Sequence, residues 1–347
     1  MTSVVTVFPP LDEALRLGEH GWSPATLEKA LQLGVEVASY ERAVELFRSF
    51  THLPLSKSTL HRLTVAYGQA VVKTLEAEAQ AMVAVPKKEH KVEWRTVPEP
   101  ASPMMNVSSD GVLIHIIDEG WKEVKIAAIS AVTKQVDAAT GESTVVLSQH
   151  SYRAGLWEAP KFAHHLWAES CRRGLEKAKQ VVSVNDGAPW IWAIVFMCFA
   201  RCIQILDWWH AVERLWTIAN LAFVGDRAGA TVWVKQQKEL LAQSNLRQVL
   251  RNTRTLFPRK QPLPAAVAHA AIYFCHNRNR MFYQEFRQAD CPIGSGTVES
   301  ACKLVVQQRM KQSGMRWSRP GAQAMLALRS VLLSQRWSLL QAALTPA

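Results

Sequence analysis

The chain has 347 residues, and 48% of them are hydrophobic, so it is long enough for about two domains with packed cores. This composition excludes a disordered, fully solvated chain. The formal net charge is +11 and is unevenly spread, since residues 227–347 contain 18 basic but only four acidic residues. A strongly basic half beside a nearly neutral half predicts a polyanionic partner that meets one side of the molecule.

Several protein classes are excluded by missing signals. The amino-terminal residues lack the layout of a secretory signal, and the longest apolar run, residues 188–200, is too short to span a bilayer. The six cysteines are scattered, which predicts a reducing, cytoplasmic location rather than a disulfide scaffold. No phosphate-binding loop of the type G-x-x-x-x-G-K-[ST] occurs, so an ATP-driven machine is not expected.

Residues 1–83 are predicted to form a helical region. Ser23, followed by proline, is typical of a capped helix start. An amphipathic helix at 40–50, a proline-containing break and a helix at 59–67 that ends at Gly68 give a helix-turn-helix pattern over about 40–68. A further helix is expected at 71–83, and the charged, proline-containing residues 84–103 indicate a linker.

The second helix of this pattern would present four polar side chains outward: Lys57, Ser58, His61 and Arg62. These side chains can reach phosphates or base edges, so we expect them to bind DNA. The alternative is an ordinary helical hairpin without a nucleic-acid partner.

The periodicity changes to that of strands after residue 103. Strands are predicted at 104–110, 112–117, 124–132, 143–149, 181–184 and 203–206, with helices at 162–179 and 190–200. This order predicts an α/β fold in which a mixed sheet of three antiparallel strands, followed by parallel additions, is layered by helices. Residues 104–212 would form the first part of this core, and residues 213–290 a helical insertion. Residues 291–347 would complete the core with its final helices, including one at 322–344.

Three carboxylates occupy special positions in this scheme. Asp110 is predicted to end the first strand, Asp186 follows the strand at 181–184, and Glu299 lies early in the helix after the insertion. Carboxylates at neighbouring strand ends converge at one edge of a sheet. Three hard oxygen donors suit Mg²⁺ or Mn²⁺, and two such ions stabilise an in-line phosphoryl displacement. The alternative is that each acid is an ordinary turn or cap residue.

An acid and an imidazole also lie one turn apart, at Asp207 and His210. They are compatible with a metal-binding pair, but a buried hydrogen bond that positions the helix is the favoured interpretation. The last segment, from residue 302 onward, contains seven basic residues and no acid. It predicts a basic and aromatic surface for DNA phosphates, with a solvated helix face as the alternative. The residues assigned to this surface are Lys303, Arg309, Lys311, Arg316, Trp317 and Arg319.

A series of motifs resembles the Kra-type family of bacterial insertion-sequence transposases. The motifs are Asp110-Gly111 with GWKEVK at 120–125, NDGAPWIW at 185–192, ILDWWHAVE at 205–213, PIGSGTVESACK at 292–303 and RMKQSGMRW at 309–317. The resemblance covers nearly the whole chain. It implies an RNase H-like core with a helical insertion before the last acid, and a catalytic, metal-binding triad of Asp110, Asp186 and Glu299. It further implies that Asp207 and His210 support the site rather than bind the metals.

The function implied is that of a DNA transposase, which cleaves the ends of a mobile element with two Mg²⁺ or Mn²⁺ ions and joins the freed 3′ hydroxyl to target DNA. Its expected partners are the terminal inverted repeats, the target DNA and further copies of the chain, and it would be associated with the nucleoid. A catalytically inactive DNA-binding descendant and a general RNase H-like nuclease are the alternatives. One departure is the strand before Asp110, Val107-Ser108-Ser109, where the family would favour apolar residues.

Overall fold

The computed structural model of the chain describes residues 21–83, 98–136, 141 and 143–344. The first 20 residues of the predicted helical region, residues 84–97 of the predicted linker and the last three residues lie outside these ranges.

A five-stranded mixed sheet forms the centre of the molecule. Its order is β3-β2-β1-β4-β5, in which β1 pairs antiparallel with β2 and parallel with β4. The pair β2–β3 is antiparallel and the pair β4–β5 is parallel, so the predicted α/β class with its mixed sheet is confirmed. The strands are β1 Met104–Ile116, β2 Gly120–Val136, β3 Ser143–Gly155, β4 Gln180–Asn185 and β5 Ile203–Leu206.

Helices surround this sheet. In chain order they are α1 Pro24–Glu36, α2 Tyr40–Thr51, α3 Lys57–Val83, α4 Ala159–Arg172, α5 Pro189–Cys198, α6 Trp208–Ala222, α7 Arg227–Ala242, α8 Leu246–Thr255, α9 Ala265–Asn277, α10 Tyr283–Gln288, α11 Gly296–Ala301, α12 Gln308–Met310, α13 Arg319–Leu333 and α14 Ser338–Leu344. A π-helical turn, Cys302–Gln307, joins α11 to α12. The segment 208–290 contains no strand, as predicted.

The first strand is longer than predicted. β1 is continuous through Asp110 and Gly111, so Asp110 lies in the middle of the strand, opposite Ile126, and does not end it. The Asp-Gly pair carries a local turn signal, but pairing with β2 along the full length of β1 overrides it. Glu123 of β2 lies over the Gly111 backbone, where a side chain at that position would collide with it.

Three predicted helix boundaries were also wrong. α3 continues through Gly68 as one helix of 27 residues, the helix predicted at 162–179 ends at Arg172, and the helix predicted at 322–344 is divided into α13 and α14. Gln335, between the last two, has a φ of 57°, which interrupts a right-handed helix. Gly68 serves packing instead of termination, because the backbones of α3 and α13 meet there.

The hydrophobic core extends over both faces of the sheet. On one face, Ile114 and Ile126 pack with Met325 of α13 and with Leu31 of α1 in a single buried cluster. On the other face, α4 and α5 cover β1 and β2. The helices α6–α10 pack against β4 and β5 at the sheet edge. The amino-terminal helices therefore share the core of the sheet, and the 208–290 segment stands against one edge.

A buried ion cluster joins α3 to the sheet and to α4. Arg153 on β3 is 2% exposed and lies 2.9 Å from Glu78 of α3 and 3.2 Å from Glu169 of α4. Arg336 also contacts Glu78, with its Nη2 atom 2.5 Å from Oε1. A buried cation is destabilising without such partners, so the cluster favours the orientation of α3 that keeps Glu78 beside Arg153.

In the described part of the chain, every helix is too short or too polar to cross a lipid bilayer.

Replacing Gly68 with alanine tests the packing of α3 on α13. The new methyl group would lie 2.6 Å from Cβ of Ala324 and 3.0 Å from its backbone atoms. We expect a loss of about 1–3 kcal/mol in the free energy of unfolding, although the substitution improves helix propensity. Urea unfolding measures it, with Ala66→Gly on the exposed side of α3 as the control, where propensity alone should cost about 1 kcal/mol. A stabilised G68A protein would contradict this packing.

Candidate active site

The parallel pairing of β1 with β4 aligns two of the three candidate acids. Met104 is opposite Gln180 and Asn106 is opposite Val182, a constant offset of 76 positions that also separates Asp110 from Asp186. Beyond the ladder, the backbone N–H of Ser109 donates to Oδ1 of Asn185 at 2.7 Å, which continues the same register. Asp110 in mid-strand and Asp186 just after β4 therefore lie at matching levels of the sheet.

Asp110 is half-buried and has two donors. Gly111 N–H donates to its Oδ1 at 2.6 Å, and the thiol of Cys302 donates to its Oδ2 at 3.3 Å. Burial raises the pKa of Asp110, and the negative charge of Asp186 raises it further, while the two hydrogen bonds lower it in part. Burial and the neighbouring Asp110 also raise the pKa of the Cys302 thiol, which therefore remains a protonated donor. A cation beside Asp110 and Asp186 would remove their repulsion.

Glu299 lies on α11, which follows the 208–290 segment along the chain. Its Oε1 accepts a hydrogen bond from Oγ of Ser295 at 2.8 Å, one turn earlier. The carboxylate is exposed and adds negative charge near Cys302, the residue that contacts Asp110. Glu299 and Asp110 are thus neighbours through Cys302.

Asp207 is the fully buried centre of a hydrogen-bond network. It caps α6: its Oδ1 accepts from His210 N–H at 2.7 Å and lies 2.9 Å from His210 Nδ1. Its Oδ2 accepts from the backbone N–H of Ser295. A hydrogen bond from the ring is therefore present, as favoured above, and both Asp207 oxygens already have donors.

The hydrogen bond to Asp207 raises the pKa of His210 to about 9, despite the opposing effect of burial. The charges of Glu213 and Asp186 contribute to the same shift. Burial would raise the pKa of Asp207, but the hydrogen bonds from His210 and Ser295 outweigh it and hold that pKa below its usual value. The pair is therefore an imidazolium and a carboxylate at neutral pH.

Within the described ranges, one group of three residues has its donor atoms all within 4.8 Å of one another: Asp207, His210 and Glu299. Asp110 and Asp186 lie outside that group. The three sequence-predicted acids are thus linked by electrostatic effects and by Cys302, but are not gathered as tightly as this second group. Their chemistry fits Mg²⁺ or Mn²⁺, since all three offer carboxylate oxygens and Asp110 has a raised pKa beside Asp186.

The four residues predicted to bind DNA at the start of α3 are all exposed. Lys57, Ser58, His61 and Arg62 share this end of the helix, and the His61 ring meets Tyr40 of α2 edge-on at 5.3 Å. The helices α1, α2 and α3 share a small buried cluster, which includes Phe47 and Leu60. A nucleic-acid function for α2 and α3 remains a prediction.

The basic segment at the end of the chain is divided by burial. Lys303, Lys311 and Arg316 are exposed. Arg309 is 1% exposed and donates to the carbonyl oxygens of Gly34 and Ala38, at 3.1 and 3.4 Å. Its guanidinium therefore supports the packing of α1 and of the turn that follows it, and the prediction that it lies on a DNA-binding surface was wrong.

Two further residues of this segment depart from the prediction. Trp317 is 5% exposed and donates from Nε1 to the carbonyl of Met310 at 3.0 Å, so its assignment to the surface was also wrong. Arg319 is exposed, but its two nitrogens lie 2.8 and 2.6 Å from the Glu119 carboxylate. The exposed aromatic ring near this surface is Trp121, 6.0 Å from the Lys311 ammonium.

Sequence reasoning missed three contributors to the site. Ser295 precedes Glu299 by four residues and Cys302 follows it by three, the spacings of one helical turn, so helix periodicity could have identified both. Tyr273 donates from its hydroxyl to the backbone oxygen of Asp186 at 2.5 Å. It lies 87 positions away, and no sequence signal connects it to Asp186.

Neither a search against models of protein families nor a search of curated proteins finds a match to this chain.

The Asp207–His210 pair predicts a pH dependence. Because the pKa of folded His210 exceeds the ordinary value of about 6.5, the pair stabilises the fold fully below that pH and loses this contribution as the pH rises through about 9. The lowered pKa of Asp207 has the opposite effect on stability. The contribution of Asp207 to the stability of the fold is present at neutral pH and is lost as the pH falls through the acidic range.

Asp207→Asn should lower the pKa of His210 toward about 6.5, as measured by NMR titration of the histidine ring protons without divalent cations. The matched control is Asp226→Asn, which changes the cap of α7, where Asp226 accepts from Gly229 N–H at 2.8 Å. This control should leave the His210 titration unchanged. An ordinary pKa for His210 in the unmodified protein would refute the described pairing.

Proposed function

We propose that this chain is a DNA transposase of an insertion sequence, with an RNase H-like catalytic core and a triad of Asp110, Asp186 and Glu299. The main support is the β1–β4 register, which aligns Asp110 with Asp186 and is continued by the hydrogen bond from Ser109 to Asn185. The strand order β3-β2-β1-β4-β5 and the long helical segment before Glu299 agree with the fold that the sequence motifs imply.

The proposed reaction is two successive displacements at phosphorus. Water attacks at the end of the element, the bond to the 3′ oxygen breaks, and the freed 3′ hydroxyl attacks a phosphorus of target DNA, whose own 3′ oxygen leaves. Mg²⁺ or Mn²⁺, when bound, would supply Lewis acidity for the attacking and leaving oxygens.

The chain's own residues would hold and orient the reacting groups. Asp110, Asp186 and Glu299 would hold the divalent ions. Asp207 positions two of the site's components, because it bonds to His210 and to the Ser295 backbone, and Ser295 in turn bonds to Glu299. The positive His210 acts electrostatically on Asp186 and Asp110, and so reduces the repulsion among the acids.

DNA would bind to two exposed basic surfaces. The first is the start of α3, with Lys57, Ser58, His61 and Arg62. The second consists of Lys303, Lys311 and Arg316, and the exposed ring of Trp121 lies 6.0 Å from the Lys311 ammonium. Contacts of such side chains with phosphates give an affinity that falls steeply with salt.

Asp110→Asn tests the catalytic part of the proposal. We expect strand cleavage and strand transfer on DNA carrying the element ends to fall at least about 100-fold, because a lost metal ligand removes several kcal/mol of transition-state stabilisation. Binding to the same DNA should change little. The matched control is Asp118→Asn, an exposed acid in the turn between β1 and β2.

Full activity of D110N would refute the triad. Cleavage by the unmodified protein without any strand transfer would favour the general nuclease, and DNA binding without either reaction would favour the inactive DNA-binding protein.

Lys57→Ala combined with Arg62→Ala tests the first surface. We expect weaker binding to duplex DNA and a shallower dependence of log K on log salt, by about 0.9 for each phosphate that the protein no longer neutralises. Fluorescence anisotropy over a salt series measures both. Lys235→Ala with Arg247→Ala removes two exposed charges from α7 and α8 and is the control. Equal losses in the two double variants would exclude a specific role of α3.

A further inference from the structure

A groove follows one side of α9, next to the candidate active site. It consists of three neighbouring cavities of about 340, 540 and 440 Å³. The first and second share His269 and Tyr273, and the second and third share His276 and Arg280, so the cavities form a continuous row. Between His269 and His276 the helix rises about 10 Å, so the groove is elongated rather than a single closed pocket.

The groove passes beside Asp186 at its middle cavity. Gly187, the next residue, lines the largest cavity, and Tyr273 on the groove wall donates its hydroxyl hydrogen to the Asp186 backbone oxygen at 2.5 Å. A chain that passes across Asp186 can therefore continue directly into the groove.

The lining includes basic, aromatic and apolar side chains. None of the described residues that line the three cavities is an aspartate or a glutamate. Two guanidinium groups lie over aromatic rings: Arg214 is 4.9 Å from the centre of the Tyr273 ring, and Arg280 is 4.2 Å from that of Trp192. Such stacking holds a guanidinium flat and orients its donors, which suits phosphate recognition.

The exposed side chains of the groove suit nucleobases as well as phosphates. His269, Ile272 and His276 project from the same side of α9, and all three are exposed. Imidazole rings and the flat faces of stacked arginines can stack on bases. The apolar side chain of Ile272, which lies between the two histidines, offers the bases a further apolar surface. Bases are accessible in this way only when they are unpaired, so a single strand fits better than a duplex.

We infer that this groove binds an unpaired stretch of a DNA strand that leaves the active site past Asp186. The assignment to DNA rests on the proposed function. The row of cavities, the absence of carboxylates among their described lining residues and the pre-oriented arginines indicate a single-stranded polyanion.

The test is the binding of fluorescent single-stranded oligo(dT) of about 12 nucleotides, within the ~4–16 nucleotides that single-strand-binding modules cover. The protein is full-length and carries Asp110→Asn, in buffer without divalent ions. We expect His269→Glu with His276→Glu to weaken this binding at least about tenfold, because two new negative charges would face the phosphates. Binding to a duplex of the same length should change less than about twofold.

The control is Lys235→Glu with Arg247→Glu, which alters the net charge more strongly but lies outside the groove. It should change binding to the single strand by less than about twofold. Thermal unfolding verifies that both double variants are folded. Arg214 is exposed, and Arg214→Ala removes the guanidinium that lies over the Tyr273 ring. This variant is an independent test, and it should also weaken binding to the single strand.

Three results would overturn the inference: unchanged binding to the single strand in the groove variants, an equal loss in the control, or an equal loss with duplex DNA. Tighter binding of oligo(U) than of oligo(dT) would overturn the assignment to DNA. These readouts need no catalysis. If D110N retained strand transfer, the proposed triad would be refuted, but the groove would not be. If D110N lost strand transfer while the groove variants bound the single strand normally, the groove alone would be refuted.

Discussion

The seam between β1 and β4 determines where the candidate active site can form. Its backbone pairing is short, and buried polar side chains extend it: Oγ of Ser183 donates to the Val107 carbonyl at 2.8 Å, and the Ser109 N–H donates to Asn185 at 2.7 Å. A shift in register would leave these buried groups without partners, at about 1–3 kcal/mol each. This network keeps Asp110 level with Asp186.

A second constraint allows a long segment to separate Glu299 from the other acids. The 208–290 segment begins and ends side by side, because the Trp208 N–H donates to the Ile293 carbonyl at 2.9 Å and Asp207 accepts from the Ser295 N–H. With both ends held against β5, the helices between them can form the α9 groove without displacing α11. One buried carboxylate thus joins the end of the sheet, the histidine and the helix that carries Glu299.

The basic residues have two physically different roles. Arg329 is buried, and burial lowers its pKa to about 10; it donates from Nε to the Val305 carbonyl at 2.8 Å and from Nη1 to the Val35 carbonyl at 2.7 Å. Arg309 makes similar contacts to α1 and its following turn. These cations join the carboxyl-terminal helices to the amino-terminal ones, so only part of the charge counted in the sequence is available to a polyanion. Lys57, Arg62 and Lys311 are among the exposed ones.

Local pattern was sufficient for the α/β class, the succession of most strands and helices, and the positions of Asp186 and Asp207 directly after their strands. These features depend on the periodicity of a few adjacent residues, which the sequence displays directly. The length of β1, the passage of α3 through Gly68, and the burial of Arg309 and Trp317 depend on partners that are distant along the chain. Which carboxylate meets which donor was likewise decided by packing, since Cys302 contacts Asp110 across 192 positions and Tyr273 reaches Asp186 across 87. An Asp-Gly pair or a charged residue looks the same in the sequence whether it is exposed to water or buried in protein. Only the packed structure distinguishes exposure from burial.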